Sequence, residues 1–257
     1  MAVAVPSIQR GGDVCQNQRL PDPVVHRRFV FSLKDHFWLV RDQVFGTGIH
    51  QLELFWHIGP EFLPVEPNKT VFRDKDIEFS ILAPEGHGWS QELLPHDWSP
   101  AYGRKEPCNT LRFHHSVGLP VEFVTLLQAF DGIKQPSECS FVREATPSDE
   151  SISSYVFKTK GEEHHMMFSQ PKPWSFRQWS SDAEFLYWGE TENKTRRTLI
   201  CCNGSYVEAN RKRIISSEGT FLRCEVMSSD GSPQFVSSVD DIVVDAEAFS
   251  VNCLQAD

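Results

Sequence analysis

The chain has 257 residues, 40% of them hydrophobic, 12% aromatic and 23% charged, with a formal net charge of -10. This is the composition of a folded chain, long enough for one large β domain or two small ones. The acidic balance and the lack of any basic stripe exclude a nucleic-acid partner, whose binding rests on phosphate neutralisation, and no apolar run approaches the ~20 residues of a membrane span.

Residues 1–21 mix Gly, Gln, Asn and Pro without periodicity and read as a loose leader. They lack the charged region and long apolar stretch of a signal peptide. From His26 the pattern becomes strand after strand. His26–Leu33 places Arg27, Phe29, Phe31 and Leu33 on one face and His26 with Arg28 on the other. Lys34-Asp35 is a tight turn into His36–Val44, and a Gly-rich turn at Phe45–Gly48 leads to Ile49–His57. A meander of three neighbouring strands in one sheet is the simplest expectation.

The same texture continues through Ile77–Leu82, Thr110–His115, Val121–Phe130, Tyr155–Thr159, His164–Phe168, Phe185–Trp188, Thr198–Cys202, Phe221–Val226 and Asp241–Val244, with a turn expected at Asn203-Gly204. Helical stripes over ten or more residues are missing. Many short strands punctuated by Gly, Pro, Asn and Asp predict an all-β fold, a large antiparallel β-sandwich with few helices. The expected organisation is the leader, a sandwich over 22–246 and a tail over 247–257. Pro84–Tyr102 and Gly132–Ser153 read as two long loops.

Candidate chemistry is sparse. On Ile49–His57, His50 shares a face with Leu52, Leu54 and Trp56, while His57 lies opposite with Gln51, Glu53 and Phe55. His50 and His57 therefore cannot converge on one ion from a regular strand. His114-His115 and His164-His165 are neighbours that point apart, and no HxH, HExxH or CxxC spacing occurs, so neither a metal nor another cofactor is expected. The seven cysteines are scattered and read as buried free thiols. Three Asn-x-Ser/Thr triplets, at Asn68, Asn193 and Asn203, are a pattern frequent by chance. No nucleophile elbow or phosphate loop occurs, so no catalytic residue is assigned. The stretch 84–102 carries Trp89, Trp98, Tyr102, His87 and His96, rings that could stack on a sugar and hydrogen-bond its hydroxyls.

The ordered series His26-Arg-Arg-Phe-Val-Phe, Phe37-Trp-Leu-Val-Arg-Asp42, Gly46-Thr-Gly-Ile-His50 and Phe55-Trp-His57 resembles the heparinase II/III-like polysaccharide lyases, including relatives of the oligoalginate lyases. Trp98-Ser-Pro-Ala-Tyr-Gly103, Leu119-Pro120, Thr125-Leu-Leu127, Ser181-Asp-Ala183 and Asn203-Gly-Ser205 extend the resemblance over roughly residues 22–215. It implies a β-sandwich that in the whole enzyme follows a toroid of helices, and β-elimination of uronic-acid polysaccharides in a periplasmic or secreted setting. The family's catalytic and metal-binding motifs, an H-x-H-x-D-like element and an H-N-T-like one, have no counterpart here; Cys108-Asn109-Thr110 echoes the second with Cys in place of His. The expectation is a lyase's C-terminal sandwich module, not catalytic alone, with a helical toroid and a uronic-acid polymer as partners. The alternative is a free-standing carbohydrate-binding or structural sandwich.

Overall fold

In the computed structural model the described residues are 15–16, 23–65, 68–86, 88–131, 139–146, 151–229 and 232–252. The chain divides into two compact units, Met1–Pro136 and Ser137–Asp257.

The first unit begins with β1 (Cys15–Gln16), β2 (Val25–Leu33), β3 (Phe37–Phe45) and β4 (Ile49–Ile58). Then come β5 (Leu63–Val65), β6 (Asn68–Asp74) and β7 (Ile77–Leu82), the long hairpin of β8 (Ser90–Ala101) and β9 (Arg104–Gly118), and β10 (Val121–Asp131). Seven strands form one sheet in the order β1-β2-β3-β10-β7-β6-β5, and β4-β9-β8 form a second of three. The two sheets are layers of a sandwich. Ile58, Leu111 and Phe113 from the smaller sheet meet Phe72, Ile81 and Phe123 from the larger in one buried cluster. Alternation explains this. Leu54, Trp56 and Ile58 fall on the inward side of β4, while Glu53, Phe55 and His57 face out.

Two sequence expectations need correction here. β2 and β3 are antiparallel neighbours as expected, joined by a turn with Asp35 at φ 64°, but β4 leaves them for the second sheet and pairs with β9. Strand periodicity reports which face a residue takes, not which strand lies alongside. Residues 84–102 are also not a loop, because most of them form β8. Pro95 and Pro100 disguise it, yet β8 is the edge of its sheet, where a residue without an N–H is tolerated.

The second unit holds β11 (Ser140–Glu144), β12 (Ser153–Lys158), β13 (Glu162–Phe168), β14 (Trp174–Phe176), β15 (Trp179–Ser181) and β16 (Phe185–Thr191). It continues with β17 (Arg196–Ala209), β18 (Lys212–Ser229), β19 (Ser232–Ser237), β20 (Val243–Val244) and α1 (Ala246–Asn252). Its ten strands are one antiparallel sheet. So the stretch 132–153 also contains a strand, β11, although residues 132–138 and 147–150 lie outside the described ones. One face carries a core of Trp174, Trp179, Trp188, Leu199, Ile215, Phe221 and Val226, closed by Phe249 of α1. The Asp245 carboxylate accepts the Ala248 N–H at 2.8 Å and caps the helix start. Among the described residues no helix is long and apolar enough to cross a membrane.

Asn203-Gly204 is not a turn either. β17 runs straight through it, with Asn203 at φ 54° and a register shift between Gly204 and Tyr206. The left-handed residue and the shift together make a bulge, which bends a strand without ending it. Ala183 sits where a Gly204 side chain would be, its Cα 2.8 Å from an added Cβ. The Asp182 carboxylate accepts the Ser205 N–H and Oγ–H at 2.8 and 2.6 Å, and Asn203 Nδ2 donates to Glu184 at 2.6 Å. The motifs Ser181–Ala183 and Asn203–Ser205, distant in sequence, thus lock one corner of the sheet.

Across β12 and β13 Glu163 meets His165 at 2.8 Å and Lys158 at 3.0 Å. The hydrogen bond with His165, aided by Lys158 and opposed by partial burial, lowers the Glu163 pKa to about 2 from 4.5. A lowered folded-state pKa means stability that is full above the unfolded value and lost as pH falls through the folded one. The acid loss of stability between pH 4.5 and about 2 should therefore shrink in Glu163→Gln, read as denaturation midpoints across that window.

Candidate functional site

The outward face of the three-stranded sheet gathers exposed polar and aromatic groups. Register places Phe55 opposite Arg112 and Arg112 opposite Glu92; one step along, His57 faces Thr110, which faces Leu94. Arg112 donates to Glu53 at 2.7 Å through Nη1 and to Glu92 at 2.7 Å through Nε, and His114 Nε2 stands 3.4 Å from Glu92. The hydrogen bond to Glu92 raises the guanidinium pKa, so this charge is permanent. Phe55 and Trp98 lie on the same face, 44% and 43% exposed. The arrangement offers flat apolar surface bordered by fixed donors and acceptors, the chemistry a pyranose ring requires.

The five rings singled out in the sequence separate. Trp98 and His96 share this face, two residues apart on β8. Tyr102 is fully exposed in the turn of the hairpin. Trp89 lies inside the sandwich, its ring 4.4 Å from that of Phe123 and 5.6 Å from His115. His87 lies outside the described residues. The ring that the sequence did not join to His96 is His57, while Phe55, Glu53 and Arg112 lie further along the same face, level with Glu92 rather than Trp98. The alternation of β4 held part of the signal, since it put Glu53, Phe55 and His57 on one face.

The motif residues His26, Arg28 and Asp42 meet at the inner edge of the same unit. Asp42 is buried and accepts His26 Nε2 at 2.7 Å and Arg28 Nε and Nη2 at 2.7 and 3.1 Å. Arg28 also lies 5.9 Å over the Trp56 ring. Beside them is an apolar pocket of about 220 Å³ lined by Val44, Leu54, Trp89, Val121 and Phe123. With three hydrogen bonds already made, the Asp42 carboxylate ties β2 to β3 and is poorly placed to act as a base. The other motif histidines are also engaged: His50 meets the Thr47 carbonyl at 2.8 Å and His57 the Thr110 hydroxyl at 3.0 Å.

A buried polar chain runs through the second unit. His164 Nδ1 lies 2.9 Å from the Tyr187 hydroxyl, and its Nε2 is 3.5 Å from Glu162, which also accepts Arg196 at 2.6 Å. Burial raises the Tyr187 pKa far above its ordinary value, so the phenol stays protonated. Burial likewise pushes the Cys202 thiol to about 12, and Cys108, Cys139, Cys201, Cys202 and Cys224 are all free. With their thiols raised above the ordinary value by burial, Cys108, Cys139, Cys201 and Cys202 are poor nucleophiles.

The first unit is a two-layer antiparallel sandwich with an outward aromatic and charged face, and fold alone does not assign its function. The model of the family described as "Heparinase II/III-like, C-terminal" matches residues 10–146, and the chain belongs to that family. The match ends near the boundary between the units, so Ser181–Ala183 and Asn203–Ser205 lie beyond it. No curated protein matches the chain.

Proposed function

We propose that this chain is the sandwich module of a polysaccharide lyase acting on uronic-acid polymers, and that it binds sugar without cleaving it. The observation that carries the reading is the family match over residues 10–146, which takes in the whole first sandwich together with its outward face. Phe55 and Trp98 supply stacking surface, while Arg112, His57 and His96 supply hydrogen bonds. The Glu53–Arg112–Glu92 network leaves the guanidinium shared between two carboxylates. Neutralising the uronate carboxylate and removing the C5 proton, both needed for β-elimination, fall to groups outside this chain, in a helical toroid.

The purified chain, incubated with alginate, heparin, heparan sulfate or chondroitin, is expected to release no unsaturated uronate, followed by absorbance of the new C4–C5 double bond. Product formation that an outward-face substitution in this same chain abolishes would overturn the reading.

A further inference from the structure

His57 and His96 stand on the outer strands of the three-stranded sheet, on either side of β9, and their ring centroids are 5.1 Å apart with planes tilted by 56°. Each ring has its Nδ1 occupied. His96 Nδ1 is 2.8 Å from the Asp97 carbonyl, which can accept and not donate, so Nδ1 carries the proton and the neutral ring has its lone pair on Nε2. His57 Nδ1 is 3.0 Å from Thr110 Oγ1, a hydroxyl able to accept the same kind of bond. No described residue hydrogen-bonds either Nε2, and both rings are exposed. An imidazole whose far nitrogen is held by a carbonyl or hydroxyl is the arrangement that fixes the tautomer and orientation of metal ligands.

The spacing fits a shared ion. A Zn–N bond of about 2.0–2.1 Å plus ~1.1 Å from nitrogen to ring centre puts each centroid ~3.2 Å from the metal, and a tetrahedral angle then separates the centroids by ~5 Å. We propose that His57 and His96 form a two-histidine site for a divalent transition-metal ion of the zinc class on the outward face of this sheet. Imidazole suits zinc, copper and nickel over the hard cations. Among the described residues no third histidine, cysteine or carboxylate of this face lies within coordination reach. The remaining positions therefore go to water or an incoming oxygen ligand, as in an open site. Glu53 and Glu92 on these outer strands carry two charges against the one of Arg112, which with the net charge of -10 favours a cation there, while Asp97 is paired with Lys105 at 3.3 Å. The site does not depend on the polysaccharide reading.

The test is a titration of the full chain with zinc ions alone, followed by NMR of the histidine ring Cε1–H signals, assigned from the spectra of His57→Gln and His96→Gln. Both signals are expected to shift along one saturating curve. In each variant the remaining histidine should respond at least ~10-fold more weakly. Cys108→Ser, opposite His96 on β9, should leave the curve unchanged. Both histidines are exposed, so the Gln variants should keep their dispersed spectra, and that dispersion is the check on folding. Signals that shift separately, a histidine that responds equally well without the other, or dependence on Cys108 would each overturn the site.

Discussion

Trp89→Ala is expected to cost about 3 kcal/mol of stability, whereas Trp98→Ala changes it by less than about 0.5 kcal/mol. The two indoles lie within ten residues of each other in a stretch that reads as one polar-aromatic segment, yet they occupy opposite environments. Trp89 packs on Phe123 at 4.4 Å, beside Leu54 and Val121 in the interior of the sandwich. Its removal leaves a cavity continuous with the existing pocket. Trp98, 43% exposed on the outward face near the hairpin tip, leaves no cavity behind. Chemical denaturation of the two variants checks the contrast. Equal losses, or a larger one for Trp98→Ala, would mean that the hairpin base is not the part that seals the core.

Gly189→Ala should destabilise the second unit by about 3 kcal/mol. Tyr187 lies two residues earlier on β16 and folds along the strand over Gly189 to reach His164, which is directly opposite Gly189 on β13. A Cβ at 189 would lie 2.7 Å from the Tyr187 Cζ and closer still to the phenol oxygen. The ring must then move out of a site where Tyr187 is 2% exposed, and His164, 3% exposed, loses its Nδ1 partner. Two costs add, overpacking and the loss of the buried His164–Tyr187 hydrogen bond. Tyr187→Phe separates them by keeping the ring and removing only the hydroxyl, and should cost about 1–3 kcal/mol. If Gly189→Ala leaves the denaturation midpoint unchanged, the glycine is not there to make room for the phenol.

The face each residue takes was legible where strands are regular, and the neighbours it meets there were not. Alternation along Ile49–Ile58 correctly sets His57, Phe55 and Glu53 against Leu54 and Trp56. Yet His50 and His57, which point apart on one strand, are not the histidines that meet, and the ring beside His57 is His96, brought in from 39 residues away across β9. Strand pairing is non-local, and nothing in a strand's own pattern names its partner. The stretch Pro84–Tyr102 misled in the other direction, since it reads as a loop and most of it is an edge strand that accommodates Pro95 and Pro100. Asn203-Gly204 carried the left-handed backbone expected of it but spent it on a bulge. Cys108-Asn109-Thr110 echoed a motif of the family and has a local role of its own, because Thr110 holds the His57 ring.

The order of motifs along the chain proved more informative than any one motif. His26, Arg28 and Asp42 converge as cross-strand neighbours, with Arg28 directly opposite Asp42. Their convergence makes a strand tie with its carboxylate already satisfied.

Binding of uronic-acid oligosaccharide by the outward face of the three-stranded sheet can be read by titrating such oligomers into the wild-type chain and into Trp98→Ala while following tryptophan fluorescence. Loss of one indole's stacking, worth about 1 kcal/mol, predicts roughly fivefold weaker binding with the denaturation midpoint unchanged. A wild-type chain that shows no saturable response to any uronic-acid oligomer, or a Trp98→Ala chain that binds as well as the wild type, would contradict it.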